Sequence, residues 1–82
     1  MPVIHREAGL VFRFFSNENN EPPHIHIYGQ KGSMKVWLDA DLEIAKIRKL
    51  PINDQRRGME IVKSKRVKFL YEWNQFRKRE QN

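Results

Sequence analysis

The residues of this chain best suited to chemistry are two histidines in Glu21-Pro22-Pro23-His24-Ile25-His26-Ile27-Tyr28. Imidazoles titrate near neutral pH, so a pair on one surface can divide the roles of base and acid. Cleavage of RNA by attack of its own 2′-hydroxyl needs those two roles and a cation for the charge that develops at the phosphate. His24 and His26 could take the proton transfers and Arg13 or Lys35 the charge, a metal-free ribonuclease that requires no cofactor. Tyr28 and Trp37 offer rings for unpaired bases, each worth about 1–3 kcal/mol in proteins that stack single strands. The same His-x-His pair could instead grip a divalent metal, because same-face neighbours on a strand lie about 7 Å apart. Glu21, Glu18 or His5 would then complete the ligand set. The plainest alternative is two polar side chains on a solvated sheet face.

The elements that must position these residues follow from periodicity. On a strand over roughly 24–29, His24, His26 and Tyr28 share one face, and Ile25 and Ile27 the other. Pro22 and Pro23 offer no amide to a ladder and suit its lead-in. Gly9 to Phe15 alternates, setting Leu10, Phe12 and Phe14 against Val11, Arg13 and Phe15, and 16–21 is a polar, turn-rich connection. Gly29-Gln30-Lys31-Gly32 is a second turn, and Ser33 to Asp39 a strand with Met34, Val36 and Leu38 on one side and Lys35 and Trp37 on the other. After a turn at 39–41, residues 42–47 fit a short fourth strand or a helix. Asn53 is placed to cap a C-terminal helix, Gly58 to kink it, and Met59, Val62, Phe69, Leu70, Trp73 and Phe76 trace its apolar stripe to about residue 77, after which 77–82 should fray.

These parts predict an α+β fold, one domain over 1–82, with a small antiparallel sheet of three to four strands and one long C-terminal helix packed on one face. The helix should cover Leu10, Phe12, Phe14, Ile25, Ile27, Met34, Val36 and Leu38. The other face should then carry Arg13, His24, His26, Tyr28, Lys35 and Trp37 together.

Composition narrows the function classes. The chain of 82 residues has no cysteine, which excludes disulfides and thiolate zinc sites and agrees with a reducing, cytoplasmic setting. No run approaches the roughly 18 apolar residues of a membrane span, so no membrane partner is expected. Net charge is +6, and residues 53–82 hold nine Lys/Arg against four Asp/Glu. Arg56, Arg57, Lys63, Lys65, Arg66 and Lys68 cluster on the helix, an electrostatic footprint for a polyanion such as RNA, although no helix-turn-helix, zinc finger or RNP aromatic motif accompanies them. Exposed Val11, Tyr28 and Trp37 on so small a sheet are compatible with a homodimer or a hetero-complex.

The strand Val11-Phe12-Arg13-Phe14-Phe15, the core Pro22-Pro23-His24-Ile25-His26-Ile27, Lys35-Val36-Trp37-Leu38 and the terminal Tyr71-Glu72-Trp73-Asn74 together resemble the small bacterial family called domain of unknown function 4160. The resemblance covers nearly the whole chain, with the Pro-Pro-His-Ile-His-Ile segment its most specific part. It implies a neighbour-encoded, antitoxin-like protein partner and membership of a toxin–antitoxin module, and it places His24 and His26 in the family's motif. The expectation is thus a toxin-like member of such a module that binds or cleaves RNA through the histidine face and the basic helix. A non-enzymatic nucleic-acid- or protein-binding module and a small metal-binding protein are the alternatives.

Overall fold

The structure, a computed structural model, describes residues 3–15, 20–39 and 41–81, with residues 80 and 81 as backbone only. Five strands, β1 (Val3–Glu7), β2 (Leu10–Arg13), β3 (His24–Tyr28), β4 (Ser33–Trp37) and β5 (Ile44–Arg48), precede one helix, α1 (Ile52–Gln81). All neighbours are antiparallel and the order is β1-β2-β3-β4-β5, a meander in which strand order follows the chain. The α+β class and the single long C-terminal helix are as expected. The sheet, however, has five strands where three to four were anticipated.

The extra strand is β1. Val3-Ile4-His5-Arg6-Glu7 does not alternate strictly, and its turn to β2 is Ala8-Gly9 rather than the commoner Asn-Gly. Both turn residues have positive φ, 53° and 77°, the twist of a type I′ hairpin turn. At the other edge, residues 44–48 resolve as strand, joined through Met34↔Ile47 and Lys35↔Lys46. The turn before β5 is held by Asp39, whose Oδ1 accepts from the amides of Asp41 and Leu42 at 3.1 and 3.2 Å.

Every residue expected beneath the helix is there. Leu10, Phe12, Phe14, Ile25, Ile27, Met34, Val36 and Leu38 are buried against Ile61, Val62, Phe69, Trp73 and Phe76. Met59 and Leu70 pack at the margin of this core. The helix differs from expectation at two points. Its first intrahelical bond runs from the Gln55 amide to the Pro51 carbonyl at 3.0 Å, so Pro51, not Asn53, occupies the capping position. Its break in helical geometry is at Lys65 (φ −112°, ψ 19°), not at Gly58. Gly58 is instead buried, where an added Cβ would lie 2.7 Å from Met34 Cε, so the missing side chain lets helix and sheet approach. The helix runs to Gln81, past the end of its apolar stripe.

Candidate functional site

The face of the sheet turned away from α1 is where the chemistry-bearing residues meet. Strand alternation sends Arg13, His26, Tyr28, Lys35 and Trp37 there, all half-buried. The register goes further. Arg13 is directly opposite His26, His26 opposite Lys35, and Lys35 opposite Lys46. Four strands thus present one straight cross-sheet row, Arg13, His26, Lys35, Lys46, across three inter-strand steps of about 4.8 Å, roughly 14 Å in all. Like charges directly opposite one another on neighbouring strands destabilise a sheet. Here the repulsion is offset in part, because Lys35 Nζ donates to a Glu21 carboxylate oxygen and lies 4.7 Å from the Trp37 ring centroid. Arg13 is drawn over the Tyr28 ring at 5.7 Å, and among the described residues its buried Nε has no hydrogen-bond acceptor.

Toward β5 the row opens into a pocket of about 260 Å³ lined by Phe15, His26, Tyr28, Ser33, Met34, Lys35, Lys46 and Arg48. Phe15 follows the end of β2 and packs on His26 with the rings tilted and 4.3 Å between centroids, with Tyr28 edge-on at 6.2 Å. Aromatic surface and cationic ends therefore share one concavity. Among the described residues, neither Lys46 nor Arg48 has a carboxylate partner.

His24 departs from the expected face. It is 0 % exposed, with its ring 4.9 Å from Trp73, 5.6 Å from Trp37 and 5.3 Å from His26. Its Nδ1 lies 2.8 Å from the Pro22 carbonyl oxygen, and since a carbonyl only accepts, Nδ1 carries the proton. The adjoining Pro23 carbonyl accepts the Leu38 amide at 2.9 Å, which ties the lead-in of β3 to the end of β4. The Pro-Pro-His segment is thereby explained as a clasp closed around the buried His24 ring. Trp73, from another of the segments that carry the family resemblance, completes it. The expectation that His24 and His26 line one accessible surface is corrected: burial withholds His24 from any ligand on the outer face, and His26 alone reaches the pocket.

The remaining expected residues fall in different places. Arg56, Arg57, Lys63 and Lys68 are exposed on α1, on the far side of the sheet from the pocket, so the basic helix and the histidine face do not form one surface. Arg57 pairs with Asp54 at 3.0 Å. Lys65 and Arg66 are half-buried, and Arg66 Nε donates to the carbonyls of Leu38 and Asp39 at 3.2 and 3.1 Å, a structural tie between α1 and the end of β4. Arg13 and Trp37 lie on the outer face but outside the pocket lining. Glu21, a candidate metal ligand, is engaged by Lys35. His5 bonds Glu7 at 2.7 Å and packs on Phe12 and Phe69 on the helix side, while Glu18 lies outside the described residues. Among the described residues, no three of His, Cys, Asp or Glu are placed to hold a metal ion. No described helix is long and apolar enough to cross a membrane.

Phe15, Ser33, Lys46 and Arg48 were missed by sequence reasoning. Phe15 was legible from its parity with Val11 and Arg13. Lys46 and Arg48 required both the strand assignment and the bulge between β4 and β5, which no local pattern announces.

No curated protein and no solved structure matches the chain. The family described as domain of unknown function (DUF4160) matches residues 9–74, from the β1–β2 turn into the last turns of α1. With the His24–Trp73 clasp and the outer-face row both inside that match, the chain belongs to the DUF4160 family.

Proposed function

We propose that the protein binds single-stranded RNA on the outer face of its sheet, as the toxin-like member of a bacterial toxin–antitoxin pair whose neighbour-encoded partner covers that face. The RNA reading is carried by the cross-sheet row Arg13, His26, Lys35, Lys46 ending in a pocket floored by Phe15 and Tyr28. A sheet face with cations for phosphates and rings for bases is a recurring solution for unpaired strands. The toxin–antitoxin placement rests on the family resemblance alone.

Binding without cleavage is favoured over a ribonuclease. Acid–base cleavage needs two proton-transfer groups at one phosphate, and His26 is the single histidine lining the pocket. The basic residues of α1 supply long-range attraction rather than the docking surface. The test is titration of a fluorescent ten-nucleotide RNA across a salt series. Two or three phosphate contacts predict a log–log salt slope of about −1.4 to −2.1, at roughly 0.7 per contact on a single strand. Absence of binding even at low salt would overturn the proposal.

A further inference from the structure

Cations lie toward both edges of the outer face. On β1 and β2 these are the exposed Arg6, opposite Val11, and Arg13, held over the Tyr28 ring. At the β5 end Lys35, Lys46 and Arg48 converge on one pocket, and among the described residues Lys46 and Arg48 have no carboxylate partner. The Ser33 hydroxyl adds a neutral donor to the same lining.

An internal phosphodiester carries one negative charge. A terminal phosphomonoester carries about −1.5 to −2 at neutral pH and presents three strong acceptor oxygens. Charge-assisted hydrogen bonds from ammonium and guanidinium groups to such oxygens are roughly twice as strong as neutral ones, and Arg matches two of the oxygens at once. The pocket volume of about 260 Å³ lies below the roughly 300–1,000 Å³ of drug-sized ligand sites, which suits one nucleotide rather than a run of them. The pocket also sits at the edge strand, where the sheet stops, so among the described strands a chain entering along the row from Arg13 meets no further strand beyond β5.

From these observations we infer that the pocket recognises a phosphorylated end of the RNA. The terminal phosphate is held by Lys46 and Arg48, with Lys35 and Ser33 beside it. The terminal base lies against Phe15 and Tyr28, and the following nucleotides run back along His26 toward Arg13. This inference rests on the outer face being the RNA site.

One oligoribonucleotide prepared with a 5′-phosphate, with a 3′-phosphate and with hydroxyls at both ends separates the outcomes. At least one phosphorylated form should bind tenfold or more tightly than the hydroxyl form, and the form that does so identifies the end. Arg48→Ala and Lys46→Gln, both at exposed positions and checked for native circular dichroism, should reduce that preference to less than threefold. Lys63→Ala/Lys68→Ala on α1 should keep it. Equal affinity for all three forms, or a preference that survives Arg48→Ala and Lys46→Gln, would overturn the inference while leaving single-strand binding in place. Failure of every form to bind would overturn both.

Discussion

Removing the His24 ring would open a cavity between Trp37 and Trp73 and leave the Pro22 carbonyl without its donor. Truncation of a buried side chain combined with an orphaned polar group predicts that His24→Ala loses about 2–4 kcal/mol of stability in urea denaturation. His26→Ala, at a half-buried outer position, should cost less than about 1 kcal/mol and act instead on RNA affinity. Equal stability losses for the two variants would contradict the clasp. Lys46 illustrates the opposite balance. It faces Lys35 directly across β4 and β5, so Lys46→Thr should raise stability by about 0.2–1 kcal/mol, through relief of like-charge repulsion, while weakening RNA binding. A rise in melting temperature with unchanged affinity would show that the row is not the RNA contact.

The elements hold these side chains through two close backbone approaches and one strained turn. Gly32 sits where a Cβ would fall 2.1 Å from the Arg48 carbonyl oxygen and 2.5 Å from the Lys49 carbonyl carbon. Backbone cannot swing aside as a side-chain tip can, so Gly32→Ala should cost about 2–3 kcal/mol or more and displace Arg48 from the pocket, measured by denaturation and by RNA titration. At Gly58 the closest atom is the flexible end of Met34, and the gain in helix propensity of about 1 kcal/mol opposes the crowding, so Gly58→Ala should be nearly neutral. Ala8 adopts φ 53°, a region in which Asn is better tolerated, and Ala8→Asn should stabilise the hairpin by a few tenths of a kcal/mol in the same assay. The helix and β2 to β4 were legible because Met59-to-Phe76 spacing and period-two alternation are local signals. β1 was not, since its turn residues are atypical and its pattern irregular. Nor was the kink at Lys65, where no Gly or Pro marks the break.

For the whole molecule, the decisive feature is the separation of two basic surfaces by the sheet. Strand alternation in the sequence placed Arg13, His26, Lys35 and Trp37 on one side of the sheet, and the apolar stripe placed the Lys/Arg residues on α1. The sequence could not show that the two sets face opposite ways, because a net charge of +6 carries no direction. The same loss of direction hid the burial of His24, whose strand parity matches His26 although the end of the sheet is closed by Trp73. The most direct measurement is therefore a paired comparison of RNA affinity at 50 mM and 200 mM salt for the native chain, Lys46→Ala/Arg48→Ala and Lys63→Ala/Lys68→Ala. A larger loss for the sheet pair, with a salt slope reduced by about 1.4, is the predicted result, against a small loss for the helix pair. A helix pair that abolishes binding while the sheet pair binds like the native chain would contradict the placement of the RNA site on the outer face.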